Sequence, residues 1–580
     1  MLPRLWGNLN ETNKPNGSLE DNGTGKMSGI DKESLAYLKD MGISYVWYTG
    51  IIRHSTKSAS EGCSPSNPQC VKGEAGSPYS ITDYYDVNPY LADDPDNRMT
   101  EFESLIKRTH DERLKVIIDF VPNHVARDYG QNPSYLNRPV LGKTDDKNCH
   151  WKADNDFFYY PGKTLSMPNT NDFAAERNAL LSGNFDFPYR IIPTWLAEAG
   201  GKAGKGTQSF AELMEQSGPI LNNYFENPAK ATGNDYTPDP STMDWFDTIR
   251  INYCSFHTGT WDKMYDIVRF WAEKGVDGFR CDMVELVPSE FFKWLIPKIK
   301  TEFKDVIFIG EVYDKDQYSK YIHSVGFDFL YDKSGLYDTL RAITVKNLND
   351  SGTPVDLWQS TKSITWNWQS LHDLQPYMLN FIENHDEQRF ASDFFGKDAS
   401  NTFAALYVSL FLNTAPFMVY AGEEAGEKGM DSEGYSDRNG RTSIFDWWSV
   451  KSLRDIYKSI HNESNNGEDC MKSRFISTIR FAATNPVITK GTSYDLCYCN
   501  YSSDGFDENK HYAFLRHYGK ETILFFSNFG TSTANADIFI PKDAFDYFGI
   551  QETDELNCKK PVKVSAEGMG AVMISLTNSR

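Results

Sequence analysis

Short apolar runs alternate with segments of helical periodicity through most of the chain. This alternation is typical of β–α–β units, in which helices connect parallel strands. The pattern predicts helices over 32–41, 99–112, 261–274 and 289–303, and strands over 44–50, 115–121, 278–282, 306–312, 327–331, 378–383 and 416–420. With a further strand at 1–5 the count reaches eight, which predicts an α/β protein with a (β/α)8 TIM barrel rather than an open sheet.

Two regions depart from this alternation. Segment 126–240 is rich in Gly, Asn, Pro and aromatic residues and is too long for a structureless loop, so we expect a domain inserted after strand 3. Strand-like runs at 511–516, 521–527 and 570–576, with no helix between them, predict a C-terminal antiparallel β-sandwich. The predicted domains are the first part of the catalytic barrel (1–125), inserted domain B (126–240), the second part of the barrel (241–488) and the β-sandwich (489–580).

Charge and composition narrow the classes of partner. The 580 residues carry a net charge of −21, so no basic stripe is available to displace counterions, and we expect no nucleic-acid partner. No stretch reaches the roughly 18 apolar residues of a transmembrane helix, so we expect no membrane span. A neutral substrate would suit this charge.

The cellular compartment stays open. The chain begins at Met1 like the tail of a strand, and removal of an upstream targeting segment would favour a periplasmic or extracellular protein over a cytoplasmic one. The cysteine count is nine, an odd number, and Cys63 and Cys70 flank a polar loop that a disulfide can close. These cysteines do not decide between a reducing and an oxidising compartment.

Three predicted strands end in acidic residues. Side chains alternate along a strand, so Arg280 and Asp282 share a face, and the cation favours an ionised acid. That pair alone fits a structural ion pair, but Glu311 and Asp386 end two further strands, and the strand ends of a barrel form one rim. Retaining glycoside hydrolysis needs a carboxylate nucleophile and an acid/base, with further negative charge near the transition state. Three acids can also bind a metal ion, as in magnesium-dependent lyases.

Four short motifs follow one another in order: DFVPNH at 119–124, GFRCD at 278–282, GEV at 310–312 and ENHD at 383–386. Their order and their positions on predicted strand ends resemble the α-amylase family, glycoside hydrolase family 13, over nearly the whole chain. The resemblance implies a retaining hydrolase of α-glucosidic bonds in starch-like α-glucans or maltooligosaccharides. The resemblance further implies that Asp282 is the covalent nucleophile, Glu311 the acid/base and Asp386 the transition-state-stabilising aspartate.

The resemblance also implies residues that bind substrate. His124 and His385 would hydrogen-bond the sugar being cleaved, and Arg280 would orient the nucleophile. Segment 77–84 resembles the Gly-Tyr…Asp-Tyr segment of the family, which implies a substrate-binding role for Tyr79, as the platform under that sugar, and for Asp83. Outside these predicted site residues, Asp437 and Arg441 resemble a pair that binds the next sugar outward.

The chain departs from the family pattern at two places. Many members carry Lys-His after the nucleophile on the leaving side, whereas Asp282 is followed here by Met283-Val284-Glu285. Arg250 stands where the family usually has a calcium-binding aspartate, although Asn123 keeps the other ligand type. Because a guanidinium cannot ligate a cation, we expect no metal at the usual site, and we assign no cofactor with calcium left as the open alternative.

Three functions remain open on this sequence. The first is hydrolysis of α-glucans, and the second is α-glucanotransfer, in which a sugar hydroxyl replaces water on the same machinery. The third is a non-catalytic glycan-binding accessory protein on the same fold. Such accessory proteins usually lose one of the three acids, and none is lost here.

Overall fold

The computed structural model describes residues 1–60, 63–131, 133–134, 137–166, 225–238, 244–254, 256–349, 360–429, 439–461, 470–554 and 556–576. Six parallel strands form its central sheet, and neighbours in the sheet follow chain order. They are β1 (Tyr45–Tyr48), β2 (Lys115–Phe120), β3 (Gly278–Cys281), β4 (Ile307–Gly310), β5 (Phe329–Tyr331) and β6 (Met378–Leu379).

Two further segments extend this sheet at its ends. The amino group of Met1 donates to the Trp47 carbonyl at 2.9 Å, and Thr49 N–H donates to the Met1 carbonyl at 2.9 Å, so the chain start lies against β1. After β6, Asn380 pairs in parallel with Phe417. The TIM-barrel prediction is confirmed, but segments 1–5 and 416–420 do not form regular strands. Each makes only these isolated backbone contacts instead of a ladder.

Helices alternate with the barrel strands and continue beyond them. In the described parts of the chain, those of seven residues or more are Lys32–Met41, Arg98–Asp111, Gly259–Glu273, Ser289–Glu302, Asp338–Leu348, Lys362–Leu371, Phe403–Phe411, Lys451–Ile460, Cys470–Thr484 and Lys542–Phe548. None of the helices in the described ranges is both long and apolar enough to cross a lipid bilayer.

The centre of the sheet is tightly packed around β3. Phe279 and Cys281 are almost fully buried in the apolar core, and the Phe279 ring stacks on Phe308 of β4 at 5.7 Å. A Cβ on Gly278 would lie 2.7 Å from Ile307 Cγ1, so only glycine lets β3 and β4 approach this closely. The opposite face of β3 carries Arg280 into the barrel.

The inserted region leaves and re-enters the barrel through one pair of strands. His124–Ala126 runs antiparallel to Thr248–Arg250. Two short ladders lie within the insertion, Tyr159–Tyr160 with Ala229–Lys230 and Leu165–Ser166 with Phe225–Glu226. Residues 167–224 lie outside the described part of the chain, and the limits 126 and 240 remain predictions. A separate pair, Ile52–His54 with Ile81–Val87, precedes the insertion.

The C-terminal region contains an antiparallel sheet, as predicted. Its strands follow the order Thr492–Asp495, His511–Tyr518, Glu521–Asn528 and Ala571–Ser575, and Ala534–Ile538 pairs with Val562–Ala566 beside it. The expectation that no helix separates these strands is wrong. Lys542–Phe548 forms a helix that begins after Pro541 and ends at Gly549, whose φ of 67° suits a C-terminal cap. Cys63 and Cys70, for which the sequence left a disulfide open, are both free thiols.

Candidate active site

Arg280 lies at the centre of the site, with none of its side chain exposed. Its Nη1 donates to Asp282 Oδ1 at 2.6 Å, and its Nη2 lies 3.0 Å from Glu311 Oε1. The second contact is an ion pair rather than an aligned hydrogen bond. One buried guanidinium therefore holds the two carboxylates that end neighbouring strands β3 and β4.

Aromatic rings complete the surroundings of this cation. The guanidinium carbon lies 5.4 Å, 5.3 Å and 5.5 Å from the ring centroids of Trp47, Tyr79 and Tyr331, within range of cation–π attraction. Arg280 Nε donates to the Tyr331 hydroxyl at 3.2 Å. The position of Arg280 is thus fixed on several sides, and the carboxylates bound to it are fixed in turn.

Asp282 and Glu311 are both buried. Burial raises the pKa of Asp282, while the charge and the hydrogen bond of Arg280 act in the opposite direction. Burial also raises the pKa of Glu311, and Asp282 and Asp386 add to the rise against the opposing charge of Arg280. A raised pKa is what a general acid near neutral pH requires.

Asp386 differs from the other two acids. It follows β6, and 43% of its side chain is exposed to the cleft. Its Oδ2 lies 3.1 Å from Nε2 of His385. Burial by the surrounding cleft would raise its pKa, but His385, Arg280 and Arg441 outweigh that effect and lower the pKa to about 2. Asp386 is therefore the acid best suited to carry a permanent negative charge.

Tyr79 and His385 form one unit beside the acids. The Tyr79 hydroxyl lies 2.6 Å from His385 Nε2, and the two rings stack at 5.4 Å. Trp47 meets His385 edge-on at 5.4 Å and donates from Nε1 to Asp119 Oδ2 at 3.0 Å. The structure therefore brings together Tyr79, Arg280, Asp282, Glu311, His385 and Asp386.

His124 and Asp83 have different surroundings. The His124 ring packs edge-on against Trp245 at 5.1 Å, and burial lowers its pKa to about 3, so the ring is neutral at physiological pH. The backbone of Tyr79 hydrogen-bonds to this ring, which places it beside the predicted platform. The Asp83 carboxylate instead accepts the N–H groups of Tyr85 and Ser134, at 2.9 Å and 2.7 Å. The second bond attaches the segment at Ser134 to the strand Ile81–Val87, and substrate binding by Asp83 remains a prediction.

Arg441 also belongs to this region. Its Nε donates to the backbone carbonyl of Asp386 at 2.7 Å, which helps to hold that strand end. Asp437, the other member of the predicted outer pair, lies outside the described residues.

Arg250 occupies the region where the family would bind calcium. Its Nη2 donates to the Leu286 carbonyl at 2.9 Å, and its guanidinium lies 4.2 Å from the Tyr236 ring centroid. Asn123, the remaining ligand type, turns its amide nitrogen to the Gly233 carbonyl at 2.8 Å. A guanidinium offers no lone pair and repels a cation, so these residues do not fit calcium there.

Sequence reasoning missed several residues of the site. Trp47 and Tyr331 contact Arg280 from β1 and β5, strands that are distant along the chain. Tyr313, two residues after Glu311, donates from its hydroxyl to Glu311 Oε1 at 2.5 Å. Its position next to the GEV motif is the one local signal that could have pointed to it.

The fold and this group of carboxyls are those of the glycoside hydrolase class. A family model described as "Alpha amylase, catalytic domain" matches residues 13–174 and 259–478, more than half of the chain. The chain therefore belongs to the alpha-amylase family, and the resemblance of its motifs is confirmed.

Individual relatives are distant. Alpha-amylase 3 of Dictyoglomus thermophilum is 24% identical over 369 residues, which cover 62% of this chain and 55% of the relative. Cyclomaltodextrin glucanotransferase of Geobacillus stearothermophilus is 23% identical over 437 residues, covering 72% and 47%. The chain thus spans about half the length of these curated relatives. The crystal structure of an alpha-amylase from Geobacillus thermoleovorans complexed with acarbose has a TM-score of 0.59 and 17% identity, with coverage of 100% of this chain and 98% of that one.

Proposed function

We propose that this protein hydrolyses α-glucosidic bonds in starch-like α-glucans or maltooligosaccharides with retention of configuration. The observation that carries the proposal is the contact of one buried guanidinium, Arg280, with both Asp282 and Glu311. Two carboxyl groups held side by side at the rim of the barrel are the equipment that retaining hydrolysis requires.

The pKa shifts of Glu311 and Asp386 suit their proposed roles, and Asp282 has a cation beside its carboxylate. Asp282 attacks the anomeric carbon, with Arg280 orienting its carboxylate. Glu311, whose pKa is raised by burial, protonates the leaving glycosidic oxygen and then takes a proton from the incoming water. Asp386, whose pKa is lowered to about 2, stays ionised and stabilises the positive charge of the oxocarbenium-like transition state.

The nature of the acceptor is a separate question. Relatives of this chain carry the names of an amylase and of a glucanotransferase, so both water and a sugar hydroxyl are candidate acceptors. Product analysis on soluble starch, pullulan and maltooligosaccharides decides between them. Release of reducing ends without longer products is the expected result, and products longer than the substrate would assign transfer.

Trapping the intermediate tests the role of Asp282 directly. A fluorinated glucosyl probe slows the second step, and mass spectrometry of the digested protein should find the label on the peptide that contains Asp282. Asp282→Asn should lower kcat at least about a thousandfold, as removal of a nucleophile does in other enzymes. Asp316→Asn, on an exposed turn, is the matched control and should keep its activity. A label on any other carboxylate would refute the assignment.

A further inference from the structure

Glu285 stands where many family members carry a leaving-side donor, and here it has a different set of contacts. Its Oε2 accepts the backbone N–H of Tyr313 at 2.8 Å, and its Oε1 accepts that of Asp314 at 3.1 Å. Both bonds reach across from the segment after β3 to the segment after β4. The carboxylate thereby fixes the backbone that directly follows Glu311.

Tyr313 connects the hydrogen bonds of Glu285 to the carboxyl group of Glu311. Its backbone is held by Glu285, and its hydroxyl donates to Glu311 Oε1 at 2.5 Å. The other oxygen of Glu311, Oε2, accepts the Met283 N–H at 2.8 Å. Both oxygens of Glu311 therefore have a donor, and both donors depend on the segment 283–285.

The backbone at Met283 supports a role beyond simple packing. Met283 has φ 46° and ψ 47°, the left-handed region that non-glycine residues seldom adopt. Such conformations cost free energy and concentrate at functional sites. Here the turn aims the Met283 N–H at Glu311 and begins the short helix that carries Glu285.

We propose that Tyr313 and Glu285 are positioning residues for the acid/base: Tyr313 holds Glu311 through its hydroxyl, and Glu285 holds Tyr313 through its backbone. The proposal rests on the proposed function, because it requires Glu311 to be the proton donor. It explains why the segment after the nucleophile has lost the usual leaving-side donors, since its side chain and backbone serve Glu311 instead.

A donated hydrogen bond favours the ionised form of a carboxyl group. Tyr313 therefore opposes the rise in the pKa of Glu311 that burial causes. Removing the hydroxyl should raise that pKa further. Since Glu311 must be protonated to donate its proton to the leaving glycosidic oxygen, the alkaline limb of kcat/KM follows its pKa and should move to higher pH.

Tyr313→Phe tests this directly, because it removes the hydroxyl and keeps the ring. We expect the alkaline limb to move up by about one pH unit, kcat on maltooligosaccharides to fall about tenfold and KM to change by less than about twofold. On α-glucosyl fluoride, whose leaving group needs no proton, kcat should fall far less. The matched control is Tyr318→Phe, a buried tyrosine whose hydroxyl lacks a hydrogen-bond partner among the described residues; it should leave the pH profile unchanged.

Glu285→Gln tests whether Glu285 holds the backbone of Tyr313. Glutamine replaces one of the two accepting oxygens by an amide group that only donates, so the hold on Tyr313 weakens and the limb should shift in the same direction. The shift should be smaller than in Tyr313→Phe, because the change also removes a negative charge near Glu311, which acts in the opposite direction. In the Tyr313→Phe background the same change should add no further upward shift, because both upward shifts act through one hydroxyl. Full additivity of the two shifts, or an unmoved limb in Tyr313→Phe, would overturn the proposal. Melting temperatures of the variants exclude unfolding as the cause.

Glu311→Gln in the same series separates this inference from the proposed function. If Glu311→Gln loses the alkaline limb while Tyr313→Phe leaves it in place, only the positioning role fails. If Glu311→Gln keeps both activity and the limb, the proposed function fails, and the positioning role fails with it.

Discussion

The side-chain contacts of Arg280 hold the carboxylates of the site in place. Burying a guanidinium is costly unless it is paired and hydrogen-bonded, and Arg280 has Asp282, Glu311 and the Tyr331 hydroxyl as partners. Removing one partner leaves an unbalanced charge, so Asp282 and Glu311 are coupled through the same cation. Their effects on catalysis should therefore not be additive.

The first prediction concerns the effect of Glu311→Gln on catalysis. Glu311→Gln keeps the shape of the side chain and removes its proton, so kcat on maltooligosaccharides should fall about a thousandfold, within the usual range for general acid catalysis. The loss on α-glucosyl fluoride should be much smaller. Steady-state kinetics on both substrates is the measurement, and Glu290→Gln, an exposed helix residue, is the control. Equal losses on the two substrates would contradict the role.

The sequence could name the acids but not their neighbours. Asp282, Glu311 and Asp386 are recognisable because each ends a predicted strand within a short motif. Trp47 and Tyr331 are not, because their role depends on which strands lie opposite β3 in the closed sheet. In the sequence Glu285 shows only that the usual donor is missing, because the backbone N–H groups that donate to its carboxylate lie on the segment after the next strand.

At the scale of elements, the strongly periodic parts of the chain were predictable and the irregular ones were not. The strand at 278–282 and the helix at 289–303 are found within a residue or two as Gly278–Cys281 and Ser289–Glu302. The start of the chain looks like the tail of a strand in sequence, yet it makes only isolated contacts with β1. The helix Lys542–Phe548 could not be predicted from the sequence, because its seven residues are too few to show a clear helical periodicity.

The next prediction concerns the strand pair at the base of the insertion, His124–Ala126 with Thr248–Arg250. Arg250 supplies a fixed positive charge there, hydrogen-bonded to Leu286 and lying over Tyr236. A chelator should therefore leave the melting temperature unchanged, as measured by differential scanning calorimetry. Arg250→Ala should lower it, because the loss of the hydrogen bond and the cation–π contact costs on the order of 1–3 kcal/mol.

A surface arginine gives the control for that experiment. Arg269→Ala removes a partly exposed guanidinium paired with Glu273 and Glu302 at the surface, so it should change the melting temperature little. A drop of several degrees on chelation that only calcium restores would show that the protein binds calcium despite Arg250.

At the scale of the whole molecule, the barrel supplies the chemistry and the inserted region borders it. The segment 283–285 offers no side-chain donor on the leaving side, because Met283 is a thioether and Glu285 accepts two backbone N–H groups. Contacts to the leaving sugars must then come from elsewhere, and the insertion between β2 and β3 is rich in Tyr and Asn. We expect contacts from the insertion to narrow the cleft and to favour short chains.

We therefore predict a higher kcat/KM on maltooligosaccharides than on soluble starch, with small products. A time course on amylose provides the measurement, because iodine staining follows chain length while reducing ends count cleavage events. Cleavage near chain ends should release many reducing ends while the stain falls slowly. Early, random shortening, with a rapid loss of stain at few reducing ends, would instead mark an enzyme that acts in the interior of long chains. That result would mean that the cleft remains open to bulk polymer and that the leaving-side contacts do not narrow it.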